Sequence, residues 1–566
     1  MLHLAQLQAA PSAPAQAQRS TAAAKPGTGS QQPTPAARTA PPAKGAKVEA
    51  AAAAKTNARV AAASQAQFPE DAGWMEPGDN ADGSQQQQQQ QQLQLPAGMS
   101  IPGAPPACTA DVVRGMSWGV ATAAYQIEGA YNVNKGPSIW DTFVDMPGKI
   151  KGGGTGKVAI EHYTRFPADY KLMQQMGVNV HRFSFSWPRI VAGGQGSAVN
   201  EAGIAFYHKL IDEMVANGIT PVATMYHWDL PQVLQDRYGG WLNEQVVKDF
   251  AFYADTLFAR FGSKIKYWVT INEPASICDH GYKNGIYAPG VKADRSSLYK
   301  CGHNVLLAHA AAVKVYRDKY RSQGAKIGFS TNLVWAEPLT DKPEDKQAAQ
   351  NKLDREFGWI VDPLFTGRYP ASMRGALGDE LPKFTEEQKA LLKGSIDFIG
   401  INIYTARWVW HNSDKPFGWR ESSRKDGVPI GDQGGATWLY NAPFAMGNVL
   451  RYVGEKYNKA ETWITEFGTG ITGENTWTGS QVLNDSYRTN FYSGYINSAC
   501  KSINTYKLNV PMIFAWSLWD NFEWAEGYEV RYGMVHVDFA SQERKIKQSG
   551  YWWSKHFFTQ GKKLAR

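Results

Sequence analysis

Residues 200–217, NEAGIAFYHKLIDEMVAN, are followed after a single glycine by residues 219–226, ITPVATMY. The first stretch carries Ile204, Tyr207, Leu210 and Met214 at helical spacing, which predicts an amphipathic helix with one apolar face. The second is a short apolar run that predicts a buried strand. Working outward, strand-like runs recur at 115–121, 178–186, 219–226, 265–271, 326–333, 396–403, 461–465 and 511–518, with helical segments such as 243–261 between them. Strand followed by helix, eight times over, predicts an α/β protein of the (β/α)8 TIM-barrel type. The regular part is long for that fold, so the loops that follow the strands must carry large insertions.

In such barrels function gathers at the C-terminal ends of the strands. Here those ends carry Gln126 and Glu128, then Arg182, then His227-Trp228-Asp229, then Asn272 and Glu273. Further on come Asn402 and Tyr404, Glu466, and Trp516 followed by Asp520, Glu523 and Trp524. A ring of hydrogen-bonding and aromatic groups is a poor way to stabilise a barrel mouth and a good way to bind a polyhydroxylated ligand. Glu273 and Glu466 close strands that face each other across an eight-stranded barrel. Glycoside hydrolysis needs such a pair, one carboxyl to protonate the leaving oxygen and one to attack or stabilise the anomeric carbon. A separation of roughly 5–5.5 Å gives retention of configuration through a covalent intermediate.

Composition excludes other classes. Net charge is +8 with the basic residues scattered, not the basic stripe that nucleic-acid binding demands. No apolar run reaches the roughly 18 residues of a membrane span. The four cysteines, Cys108, Cys278, Cys301 and Cys500, are widely spread and are expected as reduced thiols. The histidines lack metal-ligand spacing, so neither metal nor cofactor is expected, and His162, His303 and His309 are read as core or helix-surface residues. Trp 20, Tyr 26 and Phe 24 fall after residue 108 except for Phe68 and Trp74. Most of these rings must be core, and some would suit the apolar faces of a sugar.

Residues 1–108 are low in complexity, rich in Ala, Pro and Gln, and include an eight-Gln run from Gln85 to Gln92. Such composition predicts disorder, with the catalytic domain over 109–566. Residues 1–48 hold Arg19, Lys25, Arg38, Lys44 and Lys47, no acidic residue and no secretory apolar core. That pattern resembles an organelle transit peptide, of plastid type; the alternative is a cytoplasmic enzyme with an unaddressed tail.

The motifs SWGVATAAYQIEGA (117–130), GPSIWDTF (136–143), HRFSFSWPRI (181–190), YHWDLP (226–231), TINEP (270–274), DFIGINIYT (397–405), WSLWDNFEWAEGY (516–528) and RYGMVHVDF (531–539) resemble, in order, those of family 1 glycoside hydrolases, the β-glucosidase family. The resemblance runs from about residue 114 to 556. It implies Glu273 as general acid/base and Glu466 as nucleophile, and a β-glucoside or oligosaccharide as substrate. By it, Asn272 binds the sugar 2-hydroxyl; Gln126, His227, Glu523 and Trp524 hold the remaining hydroxyls; and Trp516 floors the pocket. Arg182 and Tyr404 would hydrogen-bond the nucleophile and lower its pKa, and Asn402 would support the same wall.

Glu273 argues against the thioglucosidase branch, which lacks it. Glu523 and Glu526 argue against a phosphorylated sugar. A transglycosylase using the same intermediate, or a sugar-binding barrel without catalysis, stays open. So do the aglycone, set by loop residues around Asn332 and Trp335, and the oligomeric state. The chain departs from the family at Phe467, where the usual pattern is Thr-Glu-Asn-Gly. Successive strand side chains point to opposite faces, so a Glu466 facing the mouth sends Phe467 toward the surrounding helices.

Overall fold

The computed structural model describes residues 93–564. The glutamine run and the transit-peptide reading lie outside the described residues. Eight parallel strands close into a barrel: β1 (Ser117–Ala121), β2 (Val180–Ser184), β3 (Thr220–Tyr226), β4 (Tyr267–Asn272), β5 (Lys326–Asn332), β6 (Phe398–Asn402), β7 (Thr462–Glu466) and β8 (Met512–Trp516). Each strand pairs with the next in sequence, and β8 returns to β1 with Ala121 beside Trp516. The principal outer helices are α1 (His162–Gln175), α2 (Glu201–Ala216), α3 (Gln245–Phe261), α4 (Arg295–Lys319), α5 (Trp359–Thr366), α6 (Phe444–Lys456), α7 (Ser486–Tyr506) and α8 (Gln548–Trp553). Each of the eight strand-like runs of the sequence is a barrel strand. The helix expected over 200–217 is α2, which buries Ile204, Tyr207, Leu210 and Met214.

The long insertions sit where the sequence requires them. A three-stranded sheet (335–338, 406–411 and 419–422) is built from the loops that follow β5 and β6. A wide π-helical turn, Ile277–Lys283, follows β4.

Strand alternation is interrupted at two places, and both matter for the mouth. On β4, Trp268 packs on Phe258 of α3 and Thr270 bonds His309 of α4, so these side chains face the helices. Unbroken alternation would send Asn272 outward with them. The pairing with β5 shifts between Val269 and Asn272, and Asn272 turns inward. On β7, Trp463 packs across the barrel on Phe398 and Tyr267, and Thr465 bonds Ser330 and Asn402. The pairing with β6 shifts between Ile464 and Glu466, and Glu466 turns inward as well. Bulges of this kind re-aim side chains next to active sites.

Two expectations are corrected. The cysteines are paired, not reduced: Cys108 bonds Cys500 and Cys278 bonds Cys301. Sequence separations of 392 and 23 residues show neither pairing in the linear chain. The stretch 93–108, which composition assigns to the extension, is part of the barrel unit. Gln548 and Trp552 of α8 donate to the carbonyls of Ser100 and Gly103 at 2.6 and 3.2 Å. The amide of Ala107 donates to Asn497 on α7 at 2.9 Å.

Cys108 therefore staples this segment to α7. Cys108→Ser should lower the unfolding free energy by about 2–4 kcal/mol, read by denaturant titration under non-reducing conditions. The gap between variant and parent should shrink when a reductant is added.

Candidate active site

Arg182 sits inside the barrel with no solvent exposure. Its guanidinium donates to Glu466 Oε1 at 2.5 Å and to Asn272 Oδ1 at 2.7 Å. Tyr404 donates to the other oxygen of Glu466 at 2.8 Å. Asn402 Nδ2 spans Asn272 Oδ1 at 3.1 Å and Glu273 Oε1 at 2.9 Å. Strands β2, β4, β6 and β7 are thus joined in one hydrogen-bonded frame that holds both carboxylates.

The frame fixes which way each amide points. Asn272 Oδ1 accepts from two donors, so its Nδ2 must donate, and it does so to His227 Nε2 at 3.0 Å. His227 is then the tautomer with its hydrogen on Nδ1, a buried atom without a protein partner. Burial, with Arg182 second, keeps the ring neutral by pushing its pKa well down. Gln126 Nε2 donates to the Phe522 carbonyl at 2.8 Å and to Asn521 Oδ1 at 3.1 Å, which leaves Oε1 buried and unpartnered. One free donor and one free acceptor suit vicinal hydroxyls. Trp516 and Trp524 lie near-parallel to the His227 ring, each with its centroid 5.9 Å away. Glu523 joins the pocket through Gln126 Nε2 at 3.3 Å.

Electrostatics departs from expectation at the nucleophile candidate. Arg182 and Tyr404 do pull Glu466 down, but burial outweighs them and the Glu273 charge adds to it, so Glu466 is pushed up to about 7. Glu273 is also raised, by burial first, against hydrogen bonds from Asn402 and Ser276. Desolvation in the closed mouth works against the charged form of both acids.

Other strand-end polar residues serve the scaffold. Glu128 accepts from Tyr207 at 2.5 Å and pairs with Arg189. Asp520 is buried against Lys547 and Arg531, at 2.8 and 3.0 Å, and its partner Lys547 also holds Glu474. Phe467 is fully buried against Tyr492 and Tyr495 of α7 and Trp553 of α8, on the face opposite Glu466 as alternation requires. His309 is buried between Thr270 and the Ser395 carbonyl.

Sequence reasoning missed the supports of this site. Ser330 and Thr465 both bond Asn402 Oδ1, at 3.0 and 2.7 Å, and Asn521 orients Gln126. Ser276 bonds Glu273 Oε2 at 2.7 Å. Its position three residues past Glu273, after a proline that opens a helical turn, is a signal that spacing alone offers.

The profile of glycosyl hydrolase family 1 matches residues 110–562. The chain belongs to glycosyl hydrolase family 1. It is 44% identical over 454 residues to β-glucosidase 42 of Arabidopsis thaliana, covering 78% of this chain and 92% of that one. It is 42% identical over 457 residues to β-glucosidase 4 of Oryza sativa subsp. japonica, covering 79% and 94%. A solved structure of a rice β-glucosidase mutant in covalent complex with glucose shares 39% identity and a TM-score of 0.77, covering 78% of this chain and 98% of that one. The family 1 chain is a glycoside hydrolase of the β-glucosidase type. Among the described residues, no helix is long and apolar enough to cross a membrane.

Glu523 gives this family 1 pocket a measurable signature. Burial, with the Glu466 charge second, pushes it up to about 8. In the unfolded chain a glutamate titrates near about 4.3. Between those values the folded protein keeps a proton that the unfolded chain has released. This group's contribution to stability therefore falls as pH rises through the window, and the loss is complete above about 8. Glu523→Gln removes the slope. Its melting temperature should gain on the parent progressively from about pH 5 to 8.5; a gap that is flat with pH would contradict the raised pKa.

Proposed function

We propose that the protein is a retaining exo-β-glycosidase, a β-glucosidase that hydrolyses terminal non-reducing β-D-glucosyl residues through a covalent glycosyl-enzyme. The observation that carries this reading is the frame joining Glu273 and Glu466 through Arg182, Asn272 and Asn402. The names of the relatives and the covalently bound glucose of the rice enzyme support it.

Glu466 attacks the anomeric carbon as Glu273 protonates the departing oxygen, so the bond to the aglycone breaks while the glycosyl ester forms. Arg182 and Tyr404 favour the ionised nucleophile. Glu273 then takes a proton from water, whose oxygen displaces Glu466 and releases the sugar. Asn272, whose orientation Arg182, Asn402 and His227 fix, meets the 2-hydroxyl as charge develops on the ring. Gln126, His227, Glu523 and Trp524 hold the remaining hydroxyls, and Trp516 floors the pocket.

Proton NMR of the first turnovers should show β-glucose before α-glucose; α-glucose first would overturn the retaining mechanism. A 2-deoxy-2-fluoro-β-glucoside with a good leaving group should label the peptide that contains Glu466.

Glu273→Ala should lose several orders of magnitude in kcat/KM on substrates with poor leaving groups and much less on dinitrophenyl glucosides, which need little protonation. Azide should rescue turnover and yield the β-glycosyl azide. Equal loss on all substrates without rescue would remove Glu273 from the acid/base role.

A further inference from the structure

Glu273 has a hydrogen-bond partner at each carboxyl oxygen, and the two partners differ in kind. At Oε1 the partner is Asn402 Nδ2, at 2.9 Å. Asn402 Nδ2 also donates to Asn272 Oδ1, which Arg182 fixes as an acceptor, so that amide is held with its N–H groups toward Glu273 and its Oδ1 toward Thr465 and Ser330. At Oε2 the partner is the Ser276 hydroxyl, at 2.7 Å. A hydroxyl donates or accepts; an amide N–H only donates. An acid hydrogen on Oε1 would point at another hydrogen, so the proton of the neutral acid belongs on Oε2. Ser276 is itself buried and lines a small apolar pocket with Trp140, Trp228 and Tyr287.

We propose that Ser276 is a positioning residue for the general acid: its hydroxyl marks Oε2 as the proton-bearing oxygen and reverses its hydrogen bond as that oxygen loses and regains the proton. The inference rests on the acid/base reading of Glu273. While Glu273 is neutral, the hydroxyl accepts from Oε2–H until the leaving oxygen takes its place. When the proton passes to that oxygen and its bond to the anomeric carbon breaks, Ser276 becomes a donor to the new carboxylate. In the second half Oε2 takes a proton from the attacking water, and Ser276 returns to accepting. A hydrogen bond to the charged form is the stronger of the two, so the hydroxyl favours the carboxylate and restrains the upward push of burial on Glu273.

Other groups around Glu273 set its charge from a distance or at the other oxygen. Arg182 on β2 lowers its pKa, and Asn402 donates to Oε1. Glu466 on β7, Tyr404 after β6 and Tyr287 on the loop beyond β4 face it through space. His227 reaches it through Asn272. These groups act on both acids or on Oε1, whereas Ser276 bonds the acid at Oε2.

The test is the pH profile of kcat/KM on an alkyl β-glucoside, whose leaving group requires protonation. Ser276→Ala should move the alkaline limb up by about half to one pH unit and leave the acid limb in place, because the acid holds its proton longer. Ser276→Thr, which keeps the hydroxyl, should return the limb to its original position. An alkaline limb unmoved by alanine, both limbs moving together, or threonine behaving as alanine would each overturn the proposal. Glu273→Gln, assayed in parallel on a dinitrophenyl glucoside, separates the two claims. Loss of the alkaline limb there keeps Glu273 as the acid; its survival would sink the acid/base reading itself.

Discussion

A guanidinium buried in the barrel is the constraint around which the site is built. Arg182 has no access to water, so its charge must be met within the protein or the fold loses several kcal/mol. Two acceptors on opposite strands meet it, Glu466 on β7 and Asn272 on β4. Each reaches it only because its strand breaks alternation. Once these bonds exist the rest follows in order. Asn272 has one orientation, His227 has one tautomer, and Asn402 presents its N–H groups to Glu273. In the proposed reaction these groups are therefore ordered before a ligand arrives, which is how polar groups fixed in a dry site stabilise developing charge at little reorganisation cost.

The same dryness explains the departure at Glu466. The sequence brings Arg182 and Tyr404 to Glu466, and both are there, but it carries no measure of how completely the mouth is sealed. Burial raises Glu466, Glu273 and Glu523 alike. A bound sugar would add hydroxyl donors to an environment that is short of them, so part of the final charge distribution belongs to the complex rather than to the protein alone.

Much of the architecture was legible because apolar periodicity reports burial directly. The eight strands, α2 and the ring of strand-end residues follow from pattern and spacing, and the outward turn of Phe467 follows from alternation. The two breaks in alternation left no trace in the sequence, since Ile271-Asn272 and Thr465-Glu466 read as ordinary strand termini. The disulfides were invisible because pairing depends on three-dimensional approach. The fold also reaches back to residue 93, where proline- and glutamine-rich composition suggested none; a few backbone carbonyls received by Gln548 and Trp552 need no apolar side chains of their own. Ser276, Ser330 and Thr465 were missed because hydroxyl residues at strand and helix ends have many uses.

The backbone at Glu273 is left-handed, with φ 49° and ψ 67°. Its shape is held by the Ser330 carbonyl, which accepts from the Glu273 amide, and by the helical turn that begins at Pro274. Residues with a Cβ pay about 1 kcal/mol or more there, and glycine pays nothing. Backbone conformation alone would thus favour glycine at a position that carries a carboxylate. Glycine here would release the backbone cost but strand the Asn402 and Ser276 donors that Glu273 receives, so the carboxylate is held in an unfavourable backbone shape by the hydrogen bonds of its own side chain.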